Sequence, residues 1–370
     1  MSEISLYIHI PFCKSKCLYC DFLSYAHRED KAGAYINALI NEIKAFKTDS
    51  TVKTIFIGGG TPSAIDYKYI VQIMDTVFSL FNVDKNAEIT IEANPGTVDI
   101  EKLSAYRKCG INRISFGVQA WQTRHLKTIG RIHNADEVIS SVKAARSVGF
   151  ENINCDLMFS LPQQTCEDFL ESIERVTALG VAHISAYSLI IEEGTPLFDM
   201  YESGRIPPID EDEDRKMYHE GIKLLAKKGY MQYEISNFAK SGYECRHNLV
   251  YWYRGEYKGF GLGAASLVGE KRLKNTEDFS QYLNGITVTE TETLTAADKQ
   301  EEFMFLGLRC NRGVSENDFY KAFGTDIDTV YGMQLKKLAA DGLIVRENGR
   351  IYLTDRGFDI ANMVFVEFMQ

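Results

Sequence analysis

The chain has 370 residues, of which 45% are apolar and 25% are charged, with 28 glycines and only 7 prolines. This composition excludes collagen-like, disordered and disulfide-scaffold proteins, and the length allows two globular domains. No stretch reaches the ~18 uncharged apolar residues of a membrane span, and the N-terminus lacks the features of a secretory signal, so we expect a cytoplasmic protein without a transmembrane segment. The formal net charge of -10 repels a phosphate backbone and argues against nucleic acid as a partner.

Short runs of β-branched and apolar residues alternate with longer helical patterns up to about residue 235. This alternation predicts repeated βα units around a parallel sheet. The six predicted buried strands are Leu6–Ile10, Val52–Ile57, Ala87–Glu92, Ile111–Phe116, Asn152–Leu157 and His183–Leu189. Helices are predicted over Ala34–Phe46, Ala135–Val148 and residues 210–229, and a further strand over Tyr230–Ile235.

Six consecutive βα units without a dinucleotide-binding fingerprint favour an α/β fold of the partial, TIM-like (β/α)6 barrel type over a doubly wound sheet. We assign residues 1–235 to this barrel and residues 236–295 to a segment that ends in a polar linker, Thr287–Thr295. Residues 296–370 form a last domain predicted as helix, helix, helix, hairpin, helix, with the hairpin turn at Asn348–Gly349. This order is typical of a winged-helix-like α+β domain.

Winged helices often bind DNA, so a zinc-stabilised regulator that reads nucleic acid is one alternative function. From Asp298 to Gln370, however, 9 lysines and arginines stand against 12 aspartates and glutamates, a net charge of -3. The presumed recognition helix offers only Lys336 and Lys337 as a basic pair. We expect this domain to have a structural or partner-docking role.

Three cysteines stand on one short segment directly after the first strand, in the order Cys13-Lys-Ser-Lys-Cys17-Leu-Tyr-Cys20. Thiolates this close together suit an iron–sulfur cluster or zinc. A closed zinc site needs a fourth ligand, and the neighbouring Asp21 is a harder ligand than a thiolate. In the other helical and strand patterns, small buried thiols are expected at Cys109, Cys155, Cys166 and Cys310.

Polar groups follow the later strands at the ends where the chemistry of a barrel gathers. Gly58–Pro62 follows the second strand and lets a ligand approach the backbone closely. Glu92 ends the third strand, where a carboxylate can accept hydrogen bonds from both hydroxyls of a ribose. Gln119, Arg131 and Asp156 follow, and an arginine suits a carboxylate whereas an aspartate suits a hydroxyl or an amine.

The Cys-x3-Cys-x2-Cys spacing after a first strand resembles the radical S-adenosylmethionine (SAM) enzymes. The resemblance implies a [4Fe-4S] cluster on the three cysteines, with SAM chelated to the fourth iron through its amine and carboxylate. It further implies that one electron from the reduced cluster splits the bond between sulfur and C5′. The SAM contacts implied by the resemblance are Tyr7, Tyr19, Gly59, Gly60, Thr61, Glu92, Gln119, Arg131 and Asp156.

Motifs along almost the whole chain narrow the resemblance: Tyr7–Cys13, Gly58–Pro62, Ser115–Gln119, Gly130–His133 and Asp156–Met158. Together they resemble the branch that contains oxygen-independent coproporphyrinogen III oxidase and the HemW-type heme chaperones. The oxidase has a further cysteine one residue beyond its third cluster cysteine, where this chain has Asp-Phe. That departure puts oxidase activity in doubt.

The chaperones carry a His-Asn-x-x-Tyr-Trp element, which this chain has at His247–Trp252. An imidazole followed by two aromatics can ligate heme iron and pack on the porphyrin, although a loop histidine beside aromatics is also a common packing residue. We expect His247 to be the axial heme ligand, with Cys245 as the alternative, and residues 236–295 to be a heme-motif segment and linker. With an unperturbed imidazole, heme affinity should fall below a pKa of roughly 6.5.

The interpretation that follows is a heme chaperone that binds heme and transfers it to an acceptor protein, for which a respiratory protein is one candidate. Its cofactors would be a [4Fe-4S] cluster and SAM. Oxygen-independent oxidation of coproporphyrinogen III is the alternative enzymatic function. The sequence leaves open whether SAM is cleaved or only bound.

Overall fold

The computed structural model describes residues 2–208 and 210–369. Within these ranges the strands, in chain order, are β1 (Glu3–Ile10), β2 (Phe12–Cys13), β3 (Tyr25–Ala26), β4 (Thr51–Gly59), β5 (Val83–Ala93), β6 (Arg113–Gln119), β7 (Asn152–Phe159), β8 (His183–Ser188), β9 (Met231–Glu234), β10 (Asn237–Ala239), β11 (Tyr257–Phe260), β12 (Ala265–Val268), β13 (Lys271–Asn275), β14 (Val288–Thr293), β15 (Val314–Ser315), β16 (Ile344–Glu347) and β17 (Arg350–Leu353).

The α-helices of the same ranges are α1 (Ala32–Ala45), α2 (Tyr67–Leu80), α3 (Ile100–Lys108), α4 (Thr123–Thr128), α5 (Ala135–Ser147), α6 (Cys166–Ala178), α7 (Pro196–Glu202), α8 (Glu211–Lys227), α9 (Arg246–Trp252), α10 (Phe279–Leu283), α11 (Ala296–Gly307), α12 (Glu316–Phe323), α13 (Ile327–Ala340), α14 (Asp355–Asp359) and α15 (Ala361–Val366). No helix among the described residues is both long enough and apolar enough to cross a membrane.

Twelve strands of the described chain form one sheet in the order β14-β13-β12-β11-β1-β4-β5-β6-β7-β8-β10-β9. The neighbours from β11 to β8 pair in parallel. The remaining neighbours pair antiparallel. The sheet is open because β14 and β9 are its two edges. The predicted partial TIM-like barrel is confirmed, and its six predicted strands correspond to β1 and β4–β8.

Helices cover the parallel strands, so side chains on both faces of a strand are buried. β6, for example, is buried along its whole length. Capping boxes at Asn134 and Thr165 begin α5 and α6. Gly110, Gly149 and Gly180 end three helical segments with positive φ, which confirms them as stop signals.

Residues 236–295 were expected to hold a linker, and the structure places five strands there instead. β11 pairs in parallel with β1, and β12, β13 and β14 continue the sheet beside it. The predicted linker Thr287–Thr295 is mostly β14. Its alternating threonines and glutamates are exposed on both faces of an edge strand, so no apolar periodicity marks the strand in the sequence.

The last domain has its own small sheet, in the order β15-β17-β16, and its own hydrophobic core, which includes Met304, Phe319 and Leu335. The predicted order of helices and hairpin is confirmed, with the final helix divided into α14 and α15. Asn348 and Gly349 have φ of 52° and 70°. Positive φ at both central residues is the requirement of a type I′ hairpin turn.

Contacts with the barrel fix the position of the last domain. Glu302 of α11 accepts a hydrogen bond from Arg254 Nε at 2.7 Å, and its side chain is only 9% exposed. The backbone N of Ile235 donates to the carbonyl of Arg309 at 3.2 Å. The edge of the sheet at β9 therefore continues into the last domain, and the two units enclose a cavity described below.

Glu42 of α1 ties the first helix to the segment after β11. Its buried carboxylate accepts hydrogen bonds from Gly261 N at 2.9 Å, Asn275 Nδ2 at 2.8 Å and the Tyr282 hydroxyl at 2.7 Å. Lys258 Nζ lies 3.8 Å from the same carboxylate. One acidic side chain thus satisfies three buried donors from a part of the chain more than 200 residues away.

We expect Glu42→Ala to lower the free energy of unfolding by about 3 kcal/mol or more, because each buried donor left without an acceptor costs about 1–3 kcal/mol. Urea denaturation followed by circular dichroism measures the change. Glu101→Ala is the matched control, since that exposed carboxylate accepts, among the described residues, only from the Tyr67 hydroxyl, and it should cost about 0.5 kcal/mol or less. Equal losses in the two variants would contradict the anchoring role of Glu42.

Candidate functional site

A cavity of about 450 Å³ opens at the carboxyl ends of the parallel strands. All three cysteines of the predicted cluster line it. It is also lined by most of the SAM contacts implied by the resemblance: Tyr19, Gly59, Gly60, Thr61, Glu92, Gln119, Arg131 and Asp156. The structure brings these residues together, whereas Tyr7 and His247 are not on the wall of this cavity.

The cysteine segment is held on both sides by backbone hydrogen bonds. Thr61 N donates to Phe12 O at 2.8 Å, and the Thr61 hydroxyl lies 3.6 Å from Cys13 Sγ. Leu18 N donates to Ile129 O at 3.0 Å.

Among residues 2–208 and 210–369, no three His, Cys, Asp or Glu side chains are placed to share a single metal ion. A cluster does not require this, because its irons are held by separate thiolates. The thiols that line the cavity are Cys13, Cys17 and Cys20.

The glycine loop after β4 is tightly enclosed. A Cβ atom at Gly59, where φ is +111°, would lie 2.5 Å from the ring of His9. A Cβ at Gly60 would lie 3.0 Å from Cys13 Sγ. Only glycine fits these positions, so the backbone of the loop passes directly beside the cysteine segment.

Tyr7 supports the glycine loop through the side chain of His9. Its hydroxyl donates to His9 Nδ1 at 3.0 Å, while His9 Nε2 donates to Leu23 O at 2.9 Å. These bonds fix the imidazole that packs against Gly59. A positioning role for Tyr7 follows from this geometry, and the direct SAM contact stays a prediction.

Two carboxyl groups face the cavity from adjacent parts of the sheet. Glu92 Oε2 accepts from Gly59 N at 3.1 Å, and burial, with the charge of Asp156, raises the pKa of Glu92 to about 8. Asp156 accepts from Ser115 Oγ at 3.0 Å and Asn154 Nδ2 at 2.8 Å, and burial raises its pKa also. Two desolvated acids in one cavity favour a ligand that donates hydrogen bonds or carries positive charge.

Arg131 joins the cysteine segment to the glycine loop. Its Nη2 donates to the Tyr19 hydroxyl at 3.1 Å and its Nη1 to Asn94 Oδ1 at 2.6 Å. Asn94 Nδ2 donates in turn to Thr61 Oγ1 at 3.0 Å. Arg131 Nε is buried and has no partner within the described chain. This free donor suits an anionic group of a ligand, such as the carboxylate of SAM.

Gln119 ends β6 with φ of 65°, in the left-handed region that non-glycine residues rarely occupy. The register of β6 with β7 shifts at the same point. Sequence reasoning identified Gln119 but missed Asn94, Ser115 and Gly117, which also line the cavity. The two-residue period of a strand could have indicated them, because Asn94 shares a face with Glu92, and Ser115 and Gly117 share one with Gln119.

His247 is packed in the interior. The residue is 1% exposed, its Nδ1 lies 2.7 Å from Thr54 Oγ1, and its Nε2 lies 2.8 Å from the Tyr251 hydroxyl. Its ring stacks on Phe56 at 5.2 Å between centroids. Burial and the charge of Arg113 lower the pKa of His247 to about 3. The expectation of heme affinity falling near an unperturbed histidine pKa is therefore corrected, because this imidazole stays neutral far below that pH.

A buried carboxylate holds the segment before His247. Glu88 of β5 accepts from the backbone N of Arg246 at 3.1 Å and of His247 at 3.0 Å, and Cys245 Sγ lies 3.7 Å from it. Cys245 is fully buried, and burial raises the pKa of its thiol to about 12. Both predicted heme ligands are thus enclosed in this conformation.

A chain of buried hydrogen bonds connects the first cavity to this segment. The Cys245 N–H donates to the Tyr233 hydroxyl at 3.1 Å, and that hydroxyl donates to His183 Nε2 at 2.8 Å. His183 Nδ1 donates to Asn154 Oδ1 at 2.7 Å, and Asn154 Nδ2 donates to Asp156 at 2.8 Å. Each group has its donor and acceptor role fixed by its neighbours.

A second cavity, of about 640 Å³, lies beside the first, and Tyr187, Ser188 and Ile190 line both. Its wall includes Tyr251 and Trp252 of the His-Asn-x-x-Tyr-Trp element, together with strand and loop residues near β9 and residues of the last domain. No sequence motif predicted this cavity, because its wall comes from separate parts of the chain.

Comparison with protein families matches residues 7–176 to the radical SAM superfamily and residues 294–360 to the HemN C-terminal domain. By structure the chain is similar to a solved protein described as "Coproporphyrinogen III oxidase (HemN) from Escherichia coli is a Radical SAM enzyme". The TM-score is 0.88 at 24% identity, covering 100% of this chain and 90% of that one. This likeness shows the fold, including both domains.

Curated relatives match along their full length. The protein named "Heme chaperone HemW" of Bacillus subtilis (strain 168) is 39% identical, with 99% of each chain covered. The protein of the same name from Escherichia coli (strain K12) is 36% identical, with 95% of this chain and 97% of the relative covered. The chain therefore belongs to the HemW family of the radical SAM superfamily.

Proposed function

We propose that this protein is a heme chaperone, which binds heme and transfers it to an acceptor protein while it carries a [4Fe-4S] cluster and SAM. The observation that carries the proposal is the placement of the His247–Trp252 element beside a second cavity, which adjoins the cavity lined by the three cysteines and most of the expected SAM contacts. The full-length similarity to proteins named heme chaperones supports it. The cytoplasmic location and the identity of the acceptor stay predictions.

The residues of the first cavity suit the cluster and SAM. The three cysteines of the segment would hold the cluster, which in its reduced form would supply one electron to the sulfonium of SAM. Gly59 and Gly60 would let the ligand approach the loop backbone closely. Glu92 would accept from the ribose hydroxyls, and Arg131, whose buried Nε has no partner among the described residues, would pair with the carboxylate.

His247 is our proposed axial ligand for heme, and its hydrogen bonds leave it the required lone pair. Thr54 Oγ1 donates to Ser5 Oγ at 2.7 Å, so this oxygen accepts from His247 Nδ1–H. His247 Nε2 then accepts from the Tyr251 hydroxyl. Since Tyr251 lines the second cavity, a displacement of its side chain would open Nε2 to iron.

The two alternatives have less support. The residues after Cys20 are Asp21 and Phe22, where the resembling oxidase has its further cysteine. In the last domain, Arg346 already pairs with Glu316 and Asp328, and Lys337, half of the predicted basic pair, already pairs with Glu367. We therefore favour heme transfer over porphyrinogen oxidation and over nucleic-acid binding as the function.

We expect Cys17→Ser to remove most of the bound iron and sulfide from anaerobically reconstituted protein, because each thiolate holds one iron of the cluster. Iron and sulfide analysis measures the loss. Cys166→Ser is the matched control, since this thiol is buried at the start of α6, away from the cavity. Retention of about four irons per chain in the Cys17→Ser protein would contradict the assignment.

We expect Glu92→Gln to weaken SAM binding by the cluster-loaded protein about tenfold, because a carboxylate accepts from ribose hydroxyls more strongly than an amide. The ligand hydroxyls favour the ionised form of Glu92, whose pKa is about 8. The ratio of wild-type to Glu92→Gln affinity should therefore rise from about pH 7 to about pH 9. Equilibrium dialysis with labelled SAM measures both affinities.

The control for that comparison is Glu192→Gln, which removes a negative charge from the same cavity without affecting the proposed ribose contact. Its affinity for SAM should stay within about twofold of the wild type at each pH. A pH-independent ratio between the wild type and Glu92→Gln would show that the Glu92 carboxylate does not hold the ribose.

We expect His247→Ala to lower heme affinity and change the heme absorption spectrum, and Tyr251→Phe to keep the native axial ligand. The second variant removes only the hydroxyl that covers Nε2.

Because the His247 pKa is about 3, protons compete with iron only near that pH, so the wild-type affinity for heme should be constant from about pH 8 to about pH 5. Anaerobic heme titration measures these effects.

The opposite pattern, native heme binding by His247→Ala and loss of heme binding in Tyr251→Phe, would transfer the ligand role to the tyrosine.

Oxygen-free incubation of the wild type with coproporphyrinogen III, SAM and a reductant tests the competing function. We expect no decarboxylated product. Cluster-dependent formation of that product would replace the chaperone proposal with the oxidase function.

A further inference from the structure

The wall of the second cavity contains an unusual group of unpartnered polar atoms. Within the described residues, five buried atoms of its lining residues have no hydrogen-bond partner: Trp252 Nε1, Arg309 Nε, Glu234 Oε2, Asn237 Oδ1 and Asp359 Oδ1. Buried polar atoms in proteins are nearly always hydrogen-bonded. Two of the five, Trp252 Nε1 and Arg309 Nε, are donors on neighbouring side chains, which is the kind of group that an anionic part of a ligand requires.

Arg309 is the cation of this group with free hydrogen-bonding capacity. Its guanidinium carbon lies 4.3 Å from the centre of the Trp252 ring, and its side chain is 26% exposed. No N–H of its side chain makes a hydrogen bond to the described residues. The nearest carboxylate is Glu234, 3.8 Å away, and burial raises the pKa of that acid. The planar guanidinium is therefore held against an indole, and its partly exposed side chain carries N–H donors that no described residue uses.

A second arginine, Arg215, lines the same wall, but its guanidinium is already paired with two carboxylates. Arg215 Nε donates to Asp214 at 3.0 Å, and its Nη1 lies 3.7 Å from Asp359. The rest of the wall is mainly apolar and aromatic: Phe159, Tyr187, Ile190, Tyr251, Trp252, Phe358 and Met363. An apolar chamber with one free arginine suits a flat, largely apolar ligand with a carboxylate at its edge.

We propose that the second cavity is the heme-binding site and that Arg309, with Trp252 Nε1 beside it, binds a heme propionate. The inference rests on the proposed function and deepens it by naming the site and the group recognised. The porphyrin ring lies against the aromatic wall, and the carboxylate accepts from the guanidinium. Arg309 follows α11 and Trp252 ends α9, so the binding site is complete only when the last domain is docked.

The test compares heme with heme dimethyl ester, which has the same iron and ring but no free carboxylate. Anaerobic titrations use cluster-loaded wild type, Arg309→Gln, and Arg312→Gln as the matched control, because Arg312 is exposed and does not line the cavity. We expect the wild type to bind heme about tenfold more tightly than the ester. Arg309→Gln should lose this preference and bind heme about as weakly as the ester, whereas Arg312→Gln should retain it.

The possible outcomes distinguish a failure of the propionate site from a failure of the proposed heme binding. If the wild type binds heme but shows no preference over the ester, or if Arg309→Gln keeps the preference, the propionate site is overturned while heme binding stands. If the wild type binds no heme, the chaperone function fails and the inference fails with it. Iron content and urea denaturation of each variant show that it is folded, and the wild-type comparison of heme with ester requires no substitution.

Discussion

The parallel register of β1 and β4 to β8 is the constraint on which the rest of the molecule depends. It sets Ile10 opposite Gly59, Glu92 opposite Ser115 and Gly117 opposite Asp156. Six carboxyl ends therefore meet at one rim, where the cysteine segment follows β1. A slip of one residue in any pair would turn these polar groups to the opposite face of the sheet.

Buried charge links the two cavities through the middle of the sheet. Arg113 at the start of β6 is fully desolvated, and the charges of Glu88 and Asp156 help to raise its pKa. Glu88 holds the backbone before His247, and Asp156 faces the first cavity. The hydrogen bonds through Asn154, His183 and Tyr233 follow a similar route. The groups that hold Asp156 and those that position the segment before His247 therefore belong to one buried network.

Local patterns predicted much of this arrangement. The strands, the glycine stops and the cysteine segment each depend on a few adjacent residues, and the structure has them where the sequence indicated. The strand β14 was missed because an edge strand exposed on both faces shows no apolar period. The second cavity was missed because Trp252, Arg309 and Arg215 are brought together by domain docking. The low pKa of His247 likewise depends on packing against Thr54 and Phe56, which no motif around His247 could reveal.

The most direct test of the account is an anomalous-scattering map at the iron edge, from anaerobic crystals of the protein loaded with cluster, SAM and heme. We expect a cluster peak at Cys13, Cys17 and Cys20 and a separate single-iron peak in the second cavity, beside Tyr251 and Arg309. A single-iron peak in the first cavity, beside Glu92 and Asp156, would contradict it, because heme would then occupy the position assigned to SAM.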